Sequence, residues 1–315
     1  MNKTPILPPR LQRGDTIGLF CPAGPVRDQQ RLQNGIQRIR DLGFATVIQG
    51  PTAAASGYLA DTDAHRAGHL HTLWQNEQVK AIWAIRGGFG CLRMLDHIDW
   101  ELLRQQPKWL IGFSDVTLLL QGLLNRANLV GVHGPVVTSF AGSDEQDVQT
   151  LFALLTGTSR PDCLPLSKLE ILRNGTGKGR LIGGNLTTLA HTLGTPWDFP
   201  WNGCILVLED TNEPMYRLDR MLTQLALAGK LQGLAGLILG DFDLGGSNST
   251  ADWRLREQVW QRVLELAGSD YPIWANAPIG HGRRNLGLPL GVETIMESSS
   301  GILILREESV ARMSG

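Results

Sequence analysis

The sequence predicts an α/β protein with a mostly parallel sheet, helices on both faces, and two domains. Three observations carry this. Strand and helix signals alternate through the first half, as βαβ units require. The chain has 315 residues, which is long for one core. The alternation then breaks around Gly157 to Gly179 into polar chain containing Ser159-Arg160-Pro161 and Asn174-Gly175-Thr176-Gly177. The expected division is a first domain over residues 1–157, a crossover over 158–178 and a second domain over 179–315.

In chain order, Thr16 to Phe20 reads as a strand followed by the turn Cys21-Pro22-Ala23-Gly24-Pro25. Asp28 to Leu42 reads as a helix, because Leu32, Ile36, Ile39 and Leu42 recur at helical spacing. Ala45 to Ile48 is a short strand and Ala64 to Trp74 a helix. Ala81 to Ile85 is an apolar run of strand length, followed by Arg86-Gly87-Gly88-Phe89-Gly90. Cys91 to Ile98 reads as helical. Lys108-Trp109-Leu110-Ile111-Gly112-Phe113-Ser114-Asp115-Val116-Thr117 passes from a buried strand into the amphipathic segment Val116 to Leu124. Val130 to Val132 leads into His133-Gly134-Pro135, and Asp144 to Leu155 closes this half. Open sheets of this kind bind ligands beyond the carboxyl ends of their strands. The turns at Cys21 to Pro25, Arg86 to Gly90 and Ser114 are expected along that edge.

The second half opens with Gly179-Arg180-Leu181-Ile182-Gly183-Gly184-Asn185-Leu186, and Leu186 to Leu193 reads as helical. Gly203 to Leu208 is a strand ending in Glu209-Asp210. Met215 to Leu227 is an amphipathic helix with Leu218, Met221, Leu222 and Leu225 on its inner stripe. Leu234 to Leu239 is a strand, Gly245 to Thr250 a polar loop and Trp253 to Ala267 a helix. Ile273 to Ala275 and Gly301 to Leu305 are strands. No internal repeat or low-complexity tract is evident.

Composition narrows the function. A hydrophobic content of 42% with 19% charged residues is that of an ordinary globular protein. The net charge of −1 and the lack of a basic run give no sign of nucleic acid or an anionic membrane. Met1 to Gly14 has no apolar core, so it does not read as a secretory signal. The apolar run Leu231 to Leu239 is too short to span a bilayer. Cys21, Cys91, Cys163 and Cys204 include no C-x-x-C pair, and reduced thiols in the cytoplasm are the simplest expectation.

Ser114 stands where a strand hands over to a helix. A serine there can project from a tight turn while the following N–H groups point at what sits before it. Acyl transfer needs that combination of hydroxyl and oxyanion donors. On this stretch alone the commoner reading is that Ser114 or Asp115 merely caps the helix, and the G-x-S-x-G elbow is incomplete here. His281 lies among glycines in Ala277-Pro278-Ile279-Gly280-His281-Gly282-Arg283-Arg284-Asn285. An exposed loop histidine is usually inert, although a core role is equally poorly served by those neighbours. Glu209 closes an apolar strand, where a carboxylate is costly unless paired, or solvated just past the strand end. A serine nucleophile needs a base, and a histidine base needs an acceptor to fix its tautomer. Glycine turns at strand ends also suit a non-catalytic nucleotide-binding α/β module, but neither G-x-x-x-x-G-K-[ST] nor a well-placed G-x-G-x-x-G is present.

The run Val207-Leu208-Glu209-Asp210-Thr211-Asn212-Glu213-Pro214-Met215-Tyr216-Arg217-Leu218-Asp219-Arg220-Met221-Leu222 resembles the signature of LD-carboxypeptidases. So do Ile85-Arg86-Gly87-Gly88-Phe89-Gly90, Gly112-Phe113-Ser114-Asp115, Gly183-Gly184-Asn185-Leu186 and Ile279-Gly280-His281-Gly282. The resemblance runs from about Gly18 to Leu290, with these motifs in order. The family contains murein tetrapeptide carboxypeptidases and microcin C self-immunity peptidases. The resemblance implies a flavodoxin-like N-terminal domain, a smaller β-rich α/β C-terminal domain, and a site between them. It implies Ser114 as nucleophile, His281 as base and Glu209 as its acidic partner, with Gly88 and Asp115 giving backbone oxyanion donors. It further implies a metal-independent homodimer without cofactor that releases the terminal D-alanine of cytoplasmic murein tetrapeptide in peptidoglycan recycling. Arg86, beside the glycine turn, is a candidate for the substrate carboxylate, or else forms a surface salt bridge. The Asn212 to Tyr216 run looks closer to the murein branch than to peptidases acting on peptidyl-nucleotide antibiotics.

Overall fold

In the computed structural model the described residues are 4–53, 57–157, 163–164, 166, 168–245, 249–306 and 311–312. The chain forms two units. Met1–Arg160, Leu286–Gly291 and Val310–Gly315 make the first, and Pro161–Asn285 with Val292–Ser309 the second.

The first unit opens with β1 (Ile6–Leu7), β2 (Thr16–Phe20), α1 (Gln29–Asp41), β3 (Ala45–Ile48), α2 (Asp63–Gln75) and β4 (Val79–Ala84). It continues through α3 (Cys91–Met94), α4 (Trp100–Gln105), β5 (Trp109–Gly112), α5 (Thr117–Gly122), β6 (Gly131–His133), α6 (Val137–Phe140) and α7 (Glu145–Thr156). The returning strand β13 (Leu288–Leu290) completes a six-stranded sheet of order β13-β6-β5-β4-β2-β3. All its pairings are parallel except that of β13 with β6. Without that edge strand the order is the flavodoxin-like one, and it reverses between β2 and β4. Ile17, Leu19, Ile82, Trp83 and Ile111 are wholly buried, as strands covered on both faces must be. Asp28 caps α1 by accepting from Arg31 N–H, and Thr62 caps α2 by accepting from His65 N–H.

Several local expectations change here. The expected helix over Cys91 to Ile98 is α3 followed by a 3₁₀ turn, Leu95–His97. Helix α4 was not evident in the pattern; Asp99 starts it by accepting from Glu101 and Leu102 N–H. The segment after Ser114 is not amphipathic, since every residue of α5 is buried.

The second unit holds β7 (Cys163–Leu164), β8 (Glu170–Arg173), β9 (Thr176–Asn185), α8 (Leu186–Ala190), β10 (Cys204–Thr211) and α9 (Met215–Leu227). It continues with β11 (Gly236–Asp243), α10 (Ser249–Leu266), β12 (Ile273–Ala275), β14 (Glu293–Glu297) and β15 (Ile302–Arg306). The sheet order is β7-β15-β14-β9-β10-β11-β12-β8. Its four central strands, β9 to β12, are parallel, and the flanking strands are antiparallel. This is the β-rich α/β architecture expected of the second domain.

The crossover expected over 158–178 contains β7, β8 and the start of β9. Glu170–Arg173 is an edge strand with no buried residue, so it lacks the apolar run that marks a strand. Ser159-Arg160-Pro161 lies outside the described residues. The strand expected to stop at Leu208 continues as β10 through Glu209 and Asp210 to Thr211. The helix expected to Leu193 ends at Ala190, and α10 begins at Ser249, within the expected loop. Residues 246–248 of that loop lie outside the described residues. A last strand, β16 (Ala311–Arg312), pairs with β1 in the first unit. Among the described residues no helix is long and apolar enough to cross a membrane. Cys21, Cys91 and Cys204 are free and buried, while the Cys163 side chain is outside the described set.

Candidate active site

In the first unit, β5 delivers Ser114 to the carboxyl edge of the sheet. Ser114 has φ 61°, a left-handed conformation that an L-residue adopts only under constraint. The following 3₁₀ turn closes through Val116 N–H to Phe113 O at 3.2 Å. Neither Ser114 nor Asp115 caps α5: its N-cap is Val116, with no side-chain capping bond. The capping alternative therefore does not explain this turn. Gly87 lies against Ser114, and a Cβ there would stand 3.0 Å from Ser114 Cβ and 3.1 Å from its Oγ. Gly88 is exposed.

The turns after β2 and β4 meet at the reversal point of the sheet. Ile85 N–H donates to Phe20 O at 2.8 Å and Gly24 N–H to Gly87 O at 3.2 Å. Arg86 is half-buried, and its Nη1 donates to Pro25 O at 2.7 Å. It makes no ion pair among the described residues. Burial lowers its pKa, and neighbouring Arg27 adds to the effect.

In the second unit, Glu209 and Asp210 are consecutive residues of β10 and so leave the strand on opposite faces. Glu209 has no exposed surface, and its Oε2 lies 2.7 Å from His281 Nδ1. The carboxylate accepts the Nδ1 proton, so Nε2 carries the lone pair of the neutral ring. The His281 loop is shaped for this contact. Gly280 N–H donates to Asn285 Oδ1 at 3.1 Å, and Asp241 N–H to Ile279 O at 2.7 Å. Gly280 has φ 130°, and a Cβ there would stand 3.1 Å from Glu209 Oε2, so glycine permits the approach. Burial of the ring pushes the His281 pKa down, but the Glu209 charge and hydrogen bond, with Asp243 and Asp210, carry it above the ordinary value.

Asp210 faces α8. It accepts from Asn185 Nδ2 at 3.0 Å, Thr187 N–H at 2.9 Å, Thr187 Oγ1 at 2.7 Å and Thr211 N–H at 2.8 Å. Burial and the neighbouring Glu209 charge nevertheless raise its pKa to about 6. Asn185 also sits opposite Glu209 in the β9–β10 register and caps α8 by accepting from Thr188 N–H. Among the described residues Glu213 pairs with Arg217 at 3.4 Å, at an exposed position. Sequence reasoning did not single out Asp210, Asp241 or Asn285. Their one available signal was adjacency to Glu209 or to the His281 loop. Among the described residues no cluster of three or more His, Cys, Asp or Glu side chains is placed to hold a metal ion.

Ser114 thus belongs to the first unit, and the Glu209–His281 pair to the second. The sequence model of the LD-carboxypeptidase N-terminal domain matches residues 17–134, and that of the C-terminal domain matches residues 178–296. The chain belongs to the LD-carboxypeptidase family. Its relatives include a murein tetrapeptide carboxypeptidase of Pseudomonas aeruginosa, 35% identical over 292 residues, or 90% of this chain and 93% of that protein. A probable murein peptide carboxypeptidase of Bacillus subtilis is 33% identical over 310 residues, covering 95% and 93% respectively. Among solved structures, the microcin C7 self-immunity protein MccF bound to glutamyl sulfamoyl guanosine superposes with a TM-score of 0.84. It is 25% identical, with 98% of this chain and 100% of that one covered. As an LD-carboxypeptidase family member the chain is a peptidase, and its fold is the two-domain fold of these neighbours.

Proposed function

We propose that this family member is a serine peptidase that removes the terminal D-alanine from murein tetrapeptide in the cytoplasm, within peptidoglycan recycling. The observation that carries the reading is the 2.7 Å bond between His281 Nδ1 and the buried Glu209 carboxylate. That pair makes Nε2 a base and gives a protonated ring a counter-charge. The constrained turn at Ser114 supplies the matching nucleophile.

In this reading Ser114 Oγ attacks the carbonyl of the L-configured centre as His281 Nε2 takes its proton. The oxyanion receives the N–H groups of Gly88 and Asp115. His281 then gives the proton to the departing D-alanine nitrogen as the C–N bond breaks. Water, deprotonated by His281, cleaves the ester and restores Ser114. Arg86 is assigned to the substrate's terminal carboxylate through its remaining guanidinium donors. No step calls for a cofactor, and the protein is assigned as a homodimer, to be tested by light scattering.

The higher identity to murein peptide carboxypeptidases, 35% and 33%, against 27% for the Escherichia coli MccF protein, favours the murein substrate. Purified protein should release D-alanine from murein tetrapeptide, and a fluorophosphonate should label Ser114 alone. Cleavage of a peptidyl sulfamoyl nucleotide with no D-alanine release would transfer the assignment to the immunity type. No labelling and no hydrolysis of either would favour a non-catalytic module.

A further inference from the structure

Arg66 is a guanidinium with no exposed surface, far from any role in the chemistry just described. Its partners explain why it is there. Nη1 donates to Pro22 O, in the turn after β2, and to Gly90 O at 3.0 Å, in the turn after β4. Nε donates to Asp61 O at 3.2 Å, and Nη2 to Asp63 Oδ1. Asp63 Oδ2 in turn accepts from Arg93 Nε at 3.0 Å. One planar fork therefore holds two strand-end turns and the approach to α2 in fixed relation. A lysine, with a point charge on a flexible stem, cannot reproduce that fork.

Asp115 extends this network to the third turn. Its carboxylate is buried, and Oδ2 accepts the Cys91 N–H at 2.8 Å, immediately after Gly90. Burial and then the Asp115 charge push the Cys91 thiol well above its ordinary pKa, so it stays protonated and donates to the same carboxylate. The Gly88-Phe89-Gly90 turn is thus gripped at its C-terminal end by two buried charged side chains. Arg66 holds the Gly90 carbonyl, and Asp115 holds the next amide.

We infer that Arg66 and the Asp115 side chain are positioning residues that set the distance between two backbone donors, Gly88 N–H and Asp115 N–H. The inference rests on those amides forming the oxyanion hole. A hole built from two separate turns works only if the turns keep their spacing, because its stabilisation depends on donors fixed before charge develops. Gly88 lies in a turn outside any helix or strand, and Asp115 in a single 3₁₀ turn, Ser114–Val116, so no shared element holds the spacing between them. A buried ionic network is an expensive way to stabilise a core that apolar side chains would fill as well, but it is directional.

Four variants test this: Arg66→Lys, Arg66→Gln, Asp115→Ala and Asp115→Asn. Asp115→Ala and Arg66→Gln should lower kcat by ~10- to 100-fold with KM little changed, a fraction of the loss on removing an oxyanion donor outright. Asp115→Asn keeps an acceptor for Cys91 N–H and should recover most of the rate, whereas Arg66→Lys should not. The decisive readout separates positioning from folding. Affinity for a peptide boronic acid, whose tetrahedral adduct occupies the hole, should weaken in step with kcat/KM. Affinity for the product tripeptide should stay put. If the Arg66 variants fail to fold, the two Asp115 variants carry the test alone. Unchanged kcat in folded Asp115→Ala, or equal losses for boronate and product, would overturn the inference. A wild-type protein inert to both tetrapeptide and boronate would instead overturn the peptidase reading, and this inference with it.

Discussion

His281 Nδ1 and Glu209 Oε2 are 2.7 Å apart, and the glutamate has no exposed surface while the histidine keeps part of its own. The carboxylate is therefore a fixed partner, and the ring is the member that meets solvent. Burial works against protonation of His281, but Glu209, Asp243 and Asp210 outweigh it and raise its pKa above 6.5.

That shift has opposite consequences for rate and stability. A base acts only when neutral, so the acid limb of kcat/KM should lie above the ordinary imidazole value of 6.5. For stability, a raised folded pKa means that the imidazolium–carboxylate contribution is full below the unfolded value and is lost as pH rises through the folded one. The loss of melting temperature in His281→Gln should accordingly be largest on the acid side and shrink toward neutrality. A limb at or below the ordinary imidazole value would contradict the pairing.

Glu209 and Glu213 lie close in sequence but differ in environment. Glu209→Gln puts an amide against Nδ1 and permits the wrong tautomer, so kcat should fall by ~10³-fold or more with little change in melting temperature. Glu213→Gln removes a solvent-screened pair with Arg217, which contributes little to stability, and should keep most activity. Steady-state kinetics and thermal melts on both proteins check this, and the reverse pattern would move the catalytic acid to Glu213.

The turn at Ser114 predicts a trade between stability and activity. At φ 61° its Cβ is sterically opposed, which costs about 1 kcal/mol or more. Ser114→Gly should relieve that cost and unfold at higher urea, whereas Ser114→Ala retains the Cβ and should gain nothing. Both should lose roughly 10⁴-fold or more in turnover. A Ser114→Gly protein no more stable than Ser114→Ala would show that the turn carries no strain.

The parallel core was legible because its strands are short apolar runs bounded by glycine turns, and the limits of Thr16–Phe20, Ala45–Ile48, Met215–Leu227 and Ile273–Ala275 agree with the pattern. Two edge strands were not legible. Glu170–Arg173 packs too little apolar surface, and Leu288–Leu290 joins its sheet from a place remote in sequence. In the candidate site, Ser114 and His281 stood out because glycines and strand ends mark loops built for exposure. Glu209 was expected at a strand end and in fact lies inside β10, since a paired carboxylate can occupy a position where hydropathy alone would stop the strand. Arg66 was invisible for a related reason. A helix whose buried face includes an arginine has a weakened stripe, and its partners are backbone carbonyls that no sequence pattern marks.

The last prediction concerns Gly87, the residue packed against Ser114. Its φ is not in the left-handed region, so alanine there meets no backbone penalty and the fold should tolerate it. The new Cβ would, however, stand 3.0 Å from Ser114 Cβ and 3.1 Å from Oγ, closer than such atoms ordinarily approach. Ser114 cannot retreat along its own backbone without leaving the turn that defines it, so its side chain must yield. Small misplacements of a reacting atom are costly, because the near-attack geometry is lost. Gly87→Ala should therefore lower kcat, and the rate of fluorophosphonate labelling with it, by ~10-fold while its melting temperature stays near that of the parent. Gly68→Ala is the matched control. It sits in α2 with nothing within 4 Å of the added methyl, so it should raise the melting temperature slightly and leave both rates unchanged. Equal rates in the two variants would mean that the contact between Gly87 and Ser114 does not govern the position of the hydroxyl.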